Sequence, residues 1–137
     1  MYEYSSEEWR RVDDYPFFED ISLAPVVSYD AGFIVFGGYA HSKGQLTETG
    51  VIAMFSQDKW RQLGTLKQEK RGHGVIIRDN IFWVIGGTAK ATSRQDTTTE
   101  TCIYDGDIMT CETYAALPLS SGYSFYPELF LIDDDLC

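Results

Sequence analysis

The sequence is poor in the residues that build metal and nucleophilic sites. Its 137 residues include two histidines, His41 and His73, and three cysteines. The histidines lie far apart, and neither has cysteines or carboxylates around it at the spacing of metal ligands. A Gly-x-Ser-x-Gly nucleophile turn and a glycine-rich phosphate loop are also missing. The sequence therefore predicts no metal, no cofactor and no catalytic residue, and indicates a protein that is not an enzyme.

Basic residues are also scarce, since 11 lysines and arginines stand against 21 acids and leave a net charge of −10. Such a surface repels nucleic acids and anionic membranes and suits a basic or polar peptide better. No apolar run approaches the roughly 20 residues that a membrane helix needs. The first residues also lack the pattern of a signal peptide. We therefore expect a cytoplasmic protein with no nucleic-acid partner and no membrane partner.

The three cysteines, Cys102, Cys111 and Cys137, leave one over after any pairing. Cys102 and Cys111 lie nine residues apart across a predicted hairpin, so a disulfide between them is geometrically open. In a reducing compartment, however, thiols stay free. The sequence alone does not decide whether the two pair, and free thiols are our expectation.

Aromatic residues are abundant, at 15% of the chain, with nine Tyr, eight Phe and three Trp. Short runs of β-branched and aromatic residues alternate with polar turns, as in residues 75–77 and 81–85 around the turn at 78–80. No segment has a helical apolar stripe longer than two turns, so the sequence predicts an all-β chain. Polar stretches at 39–48 and 88–99 are predicted loops.

Two features recur at about fifty residues. Segments beginning at Trp9, Trp60 and Cys111 match one another 51 residues apart, whereas diglycines that end apolar strands recur 49 residues apart. An aromatic follows each diglycine after 17 residues. The repeat positions are Trp9, Gly37, Gly38, Phe55, Trp60, Gly86, Gly87 and Tyr104. The difference between the two offsets predicts a two-residue insertion in the hairpin after Tyr104.

The marked positions have a physical role in a stack of small sheets. Paired glycines permit positive φ and let neighbouring backbones approach closely. Trp60, which opens a fourth strand, is predicted to fill the wedge between adjacent sheets. Cys111 stands in the equivalent place in the next unit, and we expect that contact to be underfilled.

A diglycine after an apolar strand, a later aromatic and then a Trp, at about fifty residues per unit, resembles the kelch repeat. The resemblance implies β-propeller blades of four antiparallel strands, about two and a half of them, in an incomplete ring. Two blades are expected over 21–66 and 71–117, the end of a preceding blade over 1–20 and the start of a following one over 122–137. An unclosed ring leaves bare sheet faces, which implies either self-assembly or remaining blades in a longer chain. The sequence stops within a predicted strand, which favours the longer chain.

The resemblance also implies a non-catalytic protein-interaction module that binds another protein or peptide through loops at one end of the blades. The candidate partner-binding residues are Tyr39, His41, Lys43, Arg71, Arg94, Gln95 and Tyr123. Two settings follow from the family: the substrate-recognition part of a ubiquitin-ligase adaptor, which would need a BTB-type domain, and an actin-binding cytoskeletal scaffold. The alternative is a fragment of a propeller enzyme, sugar-processing or copper oxidase-like, whose catalytic residues lie in other blades.

Overall fold

A computed structural model describes residues 2–5, 8–89, 94–95 and 98–116, and the side chains of residues 11–89 and 98–114. Every regular element in these residues is a β-strand, so the prediction of an all-β chain is confirmed. None of them belongs to a helix that could span a bilayer. The strands are β1 (Tyr2–Ser5), β2 (Glu8–Arg11), β3 (Asp20–Ser22), β4 (Val26–Tyr29), β5 (Gly32–Ser42), β6 (Gln45–Ser56), β7 (Lys59–Thr65), β8 (Lys70–Arg71), β9 (Gly74–Arg78), β10 (Ile81–Ile85), β11 (Thr88–Ala89), β12 (Arg94–Gln95), β13 (Thr98–Tyr104) and β14 (Met109–Ala116).

Strands β4 to β7 form a four-stranded antiparallel sheet in chain order, which we call the first unit. Its outer hairpin turns through Gln57 and Asp58, whose φ angles are 50° and 62°. Positive φ at both central residues is what a two-residue hairpin turn of type I′ requires. Strands β5 and β6 are long, at 11 and 12 residues, so their hairpin projects past β4 and β7 and pairs there with β3.

Strands β9, β10, β13 and β14 form the second unit with the same antiparallel order. The outer strands β7 and β14 meet in parallel at a single point, where Gly64 pairs with Met109. Glycine is needed there, because a Cβ at Gly64 would lie 2.2 Å from the Met109 carbonyl oxygen. The two units therefore join in one strongly curled sheet, while β1 and β2 form a separate two-stranded sheet.

The hydrophobic core lies between the facing surfaces of the two units. The rings of Phe36 and Phe82 meet at its centre, with centroids 5.5 Å apart. The fully or nearly buried members are Ile34, Phe36, Ile52, Met54, Leu63, Leu66, Phe82, Val84, Cys102, Met109 and Cys111. Each unit thus covers apolar surface that the other would expose alone, as adjacent propeller blades do.

Both diglycines have the backbone conformation predicted for them. Gly38 has φ 116° and Gly87 has φ 92°. A Cβ at Gly38 would lie 2.7 Å from the Cβ of Ala24, and one at Gly87 would lie 2.6 Å from the Arg71 carbonyl oxygen. Any other residue at either position would clash with a neighbouring segment as well as strain the backbone.

The strand register confirms one of the predicted equivalences and corrects another. Phe33 pairs with Phe55, which pairs with Trp60. In the second unit the matching row runs from Phe82 through Cys102 to Cys111. Cys111 therefore does occupy the place of Trp60. The counterpart of Phe55 is Cys102, however, and the assignment of Tyr104 to that role is wrong.

The hairpin between β13 and β14 explains the error over Tyr104. It continues past the Cys102–Cys111 row to a Tyr104–Met109 pair, one pair further than the hairpin of the first unit, and its turn, at 105–108, is two residues longer than the turn at Gln57 and Asp58. The predicted insertion of two residues in total is therefore too small. Cys102 follows its diglycine two residues sooner than Phe55 follows the diglycine of the first unit. Tyr104 therefore stands at the same distance from its diglycine as Phe55, although it lies in a different row of the sheet.

Cys102 and Cys111 form a disulfide, so our expectation of free thiols is wrong for this pair. The two residues face each other directly across β13 and β14, and both are buried in the core. The contact that we expected to be underfilled at Cys111 is filled by the disulfide, which takes the place of the Phe55–Trp60 ring pair of the first unit. The centroids of those two rings are 5.2 Å apart.

The two predicted loops contain regular structure, which corrects that prediction too. Residues 39–48 continue β5 and β6, and only Lys43 and Gly44 form the turn between them. Within 88–99, β11 pairs with both β8 and β12, which gives a three-stranded ribbon in the order β12, β11, β8. The prediction of loops rested on polar composition, which does not exclude strands that pair through their backbones.

Candidate protein-binding surface

The projecting β5–β6 hairpin carries three of the predicted binding residues, Tyr39, His41 and Lys43. They follow the diglycine, and the strand alternation places Tyr39 and His41 on the same side of the hairpin. Pairing with Ser22 and Asp20 of β3 holds this part of β5 in place. The hairpin is therefore a supported strand pair that presents its side chains from a fixed backbone.

Arg71 packs directly on Tyr39. Its guanidinium carbon lies 4.1 Å from the centre of the Tyr39 ring, and its Nε lies 3.3 Å from Oε1 of Glu48. Glu48 stands opposite Tyr39 in the hairpin register, so one cross-strand pair supplies both the ring and the carboxylate. A cation held over a ring and against a carboxylate has lost most of its freedom before any partner arrives.

His41 and Lys43 are joined by one carboxylate that sequence reasoning missed. Glu19 Oε2 lies 3.1 Å from His41 Nδ1, and the Lys43 backbone N–H donates to Glu19 Oε1 at 3.3 Å. All three residues are at least partly exposed, so this contact orders the hairpin turn more than it stabilises the fold.

The ribbon β12–β11–β8 places the backbone of the remaining described candidates at the end of the two units where the β5–β6 hairpin projects. Arg71 pairs with Thr88, and Thr88 pairs with Gln95, so the three form one row. Arg94 is next to this row, opposite Ala89. The structure thus gathers Tyr39, Arg71, Arg94 and Gln95 at one end of the two units by backbone position, while Tyr123 lies outside the described residues.

A buried polar layer beneath this surface was not predicted. Lys70 and Glu100 are both almost fully buried, and their charged atoms lie 3.4 Å apart. Glu100 also accepts hydrogen bonds from the backbone N–H groups of Lys67 and Gln68, at 2.8 and 3.1 Å. The carboxylate of the second unit therefore fixes the linker that leads into Arg71. His73, also buried, packs beside the first diglycine, where a Cβ at Gly37 would lie 3.0 Å from its ring.

At the opposite ends of the strands an open cleft of about 800 Å³ lies between the units. Arg61 lines it and bonds to Asp107 at 3.1 Å and to the Tyr104 hydroxyl. Nearby, the backbone N–H groups of Ile108 and Asp107 donate to Asp105 and lower the pKa of that carboxyl. None of the predicted binding residues with described positions lines this cleft. The described residues also contain no group of three His, Cys, Asp or Glu that could hold a metal.

We name the end of the units that carries Tyr39, His41, Lys43, Arg71, Arg94 and Gln95 the hairpin end. Its features that no sequence pattern marked are the carboxylates Glu19, Glu48 and Glu100. Each contacts a residue at least 22 positions away in the chain, as the pairs with His41, Arg71 and Lys70 show. A local sequence motif does not show contacts between residues this far apart in the chain, so these contacts are found only in the folded structure.

Comparison with known proteins supports the fold. No protein-family model matches the chain, and no curated protein matches it. Among solved structures, the chain is similar to YjhT, a β-propeller, with a TM-score of 0.63 and 15% sequence identity over 77% of this chain. The match covers 34% of the YjhT chain, so this chain spans about a third of that protein. The described residues are therefore part of a β-propeller, built from four-stranded antiparallel blades in an incomplete ring.

Proposed function

We propose that this chain is a kelch-type propeller module that binds another protein or a peptide at the hairpin end and performs no catalysis itself. The observation that carries the proposal is the stacking of Arg71 on Tyr39 against Glu48. Arginine and tyrosine are the residues that most often dominate binding energy at protein interfaces. Here both are partly exposed and already held in one geometry, so a partner meets a preformed anchor.

The chemistry of the hairpin end points to a partner with both signs of charge. Arg71 and Lys43 suit a carboxylate, while the exposed Glu19 and the chain's net charge of −10 favour basic groups around it. We therefore propose a polar peptide segment as the partner. The kelch resemblance favours two settings for such a module, which are an adaptor of a ubiquitin ligase and an actin-associated scaffold.

The cytoplasmic location expected from the sequence stays a prediction, and the Cys102–Cys111 disulfide bears on it. Disulfides form and persist in oxidising compartments and are rare in the cytosol. The oxidation state of these two cysteines in protein taken directly from cells therefore tests the location. Reduced cysteines would support a cytosolic module, and a disulfide would contradict it.

Charge reversal at the hairpin end tests the proposed function. We expect Arg71→Glu and Arg94→Glu, in one chain, to reduce the capture of a partner at least tenfold, as loss of an arginine anchor does. Arg78→Glu is the matched control, because Arg78 is an exposed arginine at the end of β9, beside the turn at the other end of the strands. Capture should be measured by pull-down followed by titration calorimetry with the captured partner.

Loss of folding must be separated from loss of binding in this experiment. Arg71→Glu combined with Glu48→Arg restores the ion pair while it moves the cation away from its place above Tyr39. We expect this double variant to melt like the natural protein and still to bind weakly. Undiminished capture by both the reversed and the double variants would contradict the assignment of the hairpin end.

A further inference from the structure

One backbone edge of the projecting β5–β6 hairpin has no strand beside it in the described part of the chain. Strand β7 pairs with β6 from Val51 to Ser56, and its last contact is the Leu66 N–H, which donates to the Gly50 carbonyl at 2.8 Å before the chain turns away. Residues 45–49 of β6 lie beyond that point and pair on one side, with β5. We call the other side of this stretch the free edge.

The hairpin register shows which backbone groups point outward from the free edge. The residues that flank a two-residue turn form a hydrogen-bonded pair, and bonded and non-bonded pairs alternate along the ladder from there. Leu46 and His41 are the next pair and therefore a non-bonded one, so the N–H and C=O of Leu46 face away from β5. The Glu19 N–H donates to the His41 carbonyl at 3.1 Å from the β3 side, as this alternation requires. Glu48, two residues after Leu46, also directs its backbone groups outward.

The free edge lacks the features that commonly keep sheet edges from pairing. Lysine, proline and β-bulges are such protections, and residues 45–49 contain none of them. Leu46 is 59% exposed there. Glu48 is the one charged residue of this stretch, and its carboxylate lies 3.3 Å from Nε of Arg71 with its side chain 14% exposed. An extended segment can therefore add to this edge without meeting an exposed charge.

We propose that the peptide partner of the hairpin end binds as an added β-strand along residues 45–49. This inference rests on the proposed function and specifies the conformation of the partner. Backbone hydrogen bonds supply the affinity in this mode of binding, and alternate side chains supply the specificity. The partner is thus an extended segment without proline, with an apolar residue beside Leu46 and polar residues on either side of it, since Gln45 and Thr47 face the opposite way.

The free edge adjoins the arginine anchor of the hairpin end. An added strand would lie about 4.8 Å from β6. Its side chains on the Leu46 face would then be direct neighbours of Glu48, which holds Arg71. The strand would also run in line with β7 and reach a cleft of about 450 Å³, which Lys67 and Glu69 line. One extended segment therefore meets the edge, the anchor and the cleft together.

A peptide selected on the natural protein from a displayed library of random dodecapeptides is the probe for this mode of binding. N-methylation of one peptide amide at a time removes one donor and leaves the protein unchanged. We expect the affinity to fall about tenfold at every second residue of the bound stretch and to change little at the residues between, because alternate amides face β6. Titration calorimetry measures each affinity. Losses without this alternation, or a library that yields no binding peptide, would overturn the proposal.

Leu46→Pro tests the protein side of the same contact. The Leu46 N–H faces away from β5, so proline should leave the hairpin paired, whereas its ring removes the donor and blocks the free edge. Leu46→Ala is the matched control, because it shortens the side chain and keeps the N–H. We expect Leu46→Pro to bind the selected peptide about tenfold more weakly than Leu46→Ala. Amide spectra of the free variants check the fold, and equal affinities in two folded variants would contradict strand addition.

The charge-reversed variant, Arg71→Glu with Arg94→Glu, separates this inference from the proposed function. Loss of peptide binding on charge reversal but not in Leu46→Pro would keep the hairpin end as the binding site and overturn strand addition. Loss in Leu46→Pro but not on charge reversal would keep strand addition and overturn the arginine anchor. Dimers of the natural protein that Leu46→Pro dissociates would show that a second copy of the chain occupies the free edge, and would overturn the assignment of a peptide to it.

Discussion

Trp60 joins the first unit to the segment that precedes it. Its ring packs edge-on against Tyr15, with centroids 4.9 Å apart, and its indole N–H donates to the Asp13 carbonyl at 3.1 Å. On its own sheet it contacts Phe33 and Phe55. Burial in this cluster raises the pKa of the Tyr15 hydroxyl to about 12. The Trp60 side chain therefore packs both on its own strand pair and on the segment that precedes the first unit.

Trp60→Ala should therefore lower the free energy of unfolding by about 3 kcal/mol, the lower end of the range for large aromatic truncations, because Trp60 is only half-buried. The change also uncovers Tyr15, so its pKa should fall back towards the ordinary value. Denaturant unfolding gives the first quantity, and tyrosinate absorbance during alkaline titration gives the second.

Trp60→Phe is the control for this prediction, because it keeps the ring contacts and loses only the hydrogen bond to Asp13. It should retain most of the stability and the raised tyrosine pKa. An unchanged unfolding curve for Trp60→Ala would show that Trp60 does not pack as described.

In the two units, different side chains link the corresponding pair of strands. In the first unit a ring pair, Phe55 and Trp60, ties β6 to β7. In the second unit the Cys102–Cys111 disulfide ties β13 to β14 in the same row. A disulfide is smaller than two rings, so Met109 from the longer hairpin also enters the core.

The disulfide should stabilise the second unit. Cys102→Ala with Cys111→Ala should lower the free energy of unfolding by about 2–3 kcal/mol, as expected for closure of a short loop. Thermal unfolding with and without a reductant measures this effect. The reductant should lower the melting temperature of the natural protein and leave that of the double variant unchanged. Equal melting of both proteins before reduction would contradict a structural role for the pair.

Local patterns predicted the strands well because alternation and turn residues act over a few positions. The positive φ of the diglycines and the equivalence of Trp60 with Cys111 were predicted for the same reason. The role of Tyr104 was mispredicted, since hairpin length is set by cross-strand pairing rather than by distance from a glycine. The carboxylates Glu48 and Glu100 were missed because their contacts join segments far apart in the chain.

For the whole molecule, stability depends on the apolar surface that the two units bury against each other. Within the hairpin end, the position of Arg71 depends on both units, because Glu100 of the second unit holds the linker from β7 to β9. Separating the units would therefore expose the core and release Arg71 together.

The most direct measurement of this packing is a nuclear Overhauser experiment on the phenylalanine rings. Phe36 and Phe82 belong to different units, and their ring centroids lie 5.5 Å apart in the core. We predict strong cross-peaks between the two rings that disappear in Phe82→Leu. Rings that show no cross-peak in the folded natural protein would contradict the face-to-face packing of the two units.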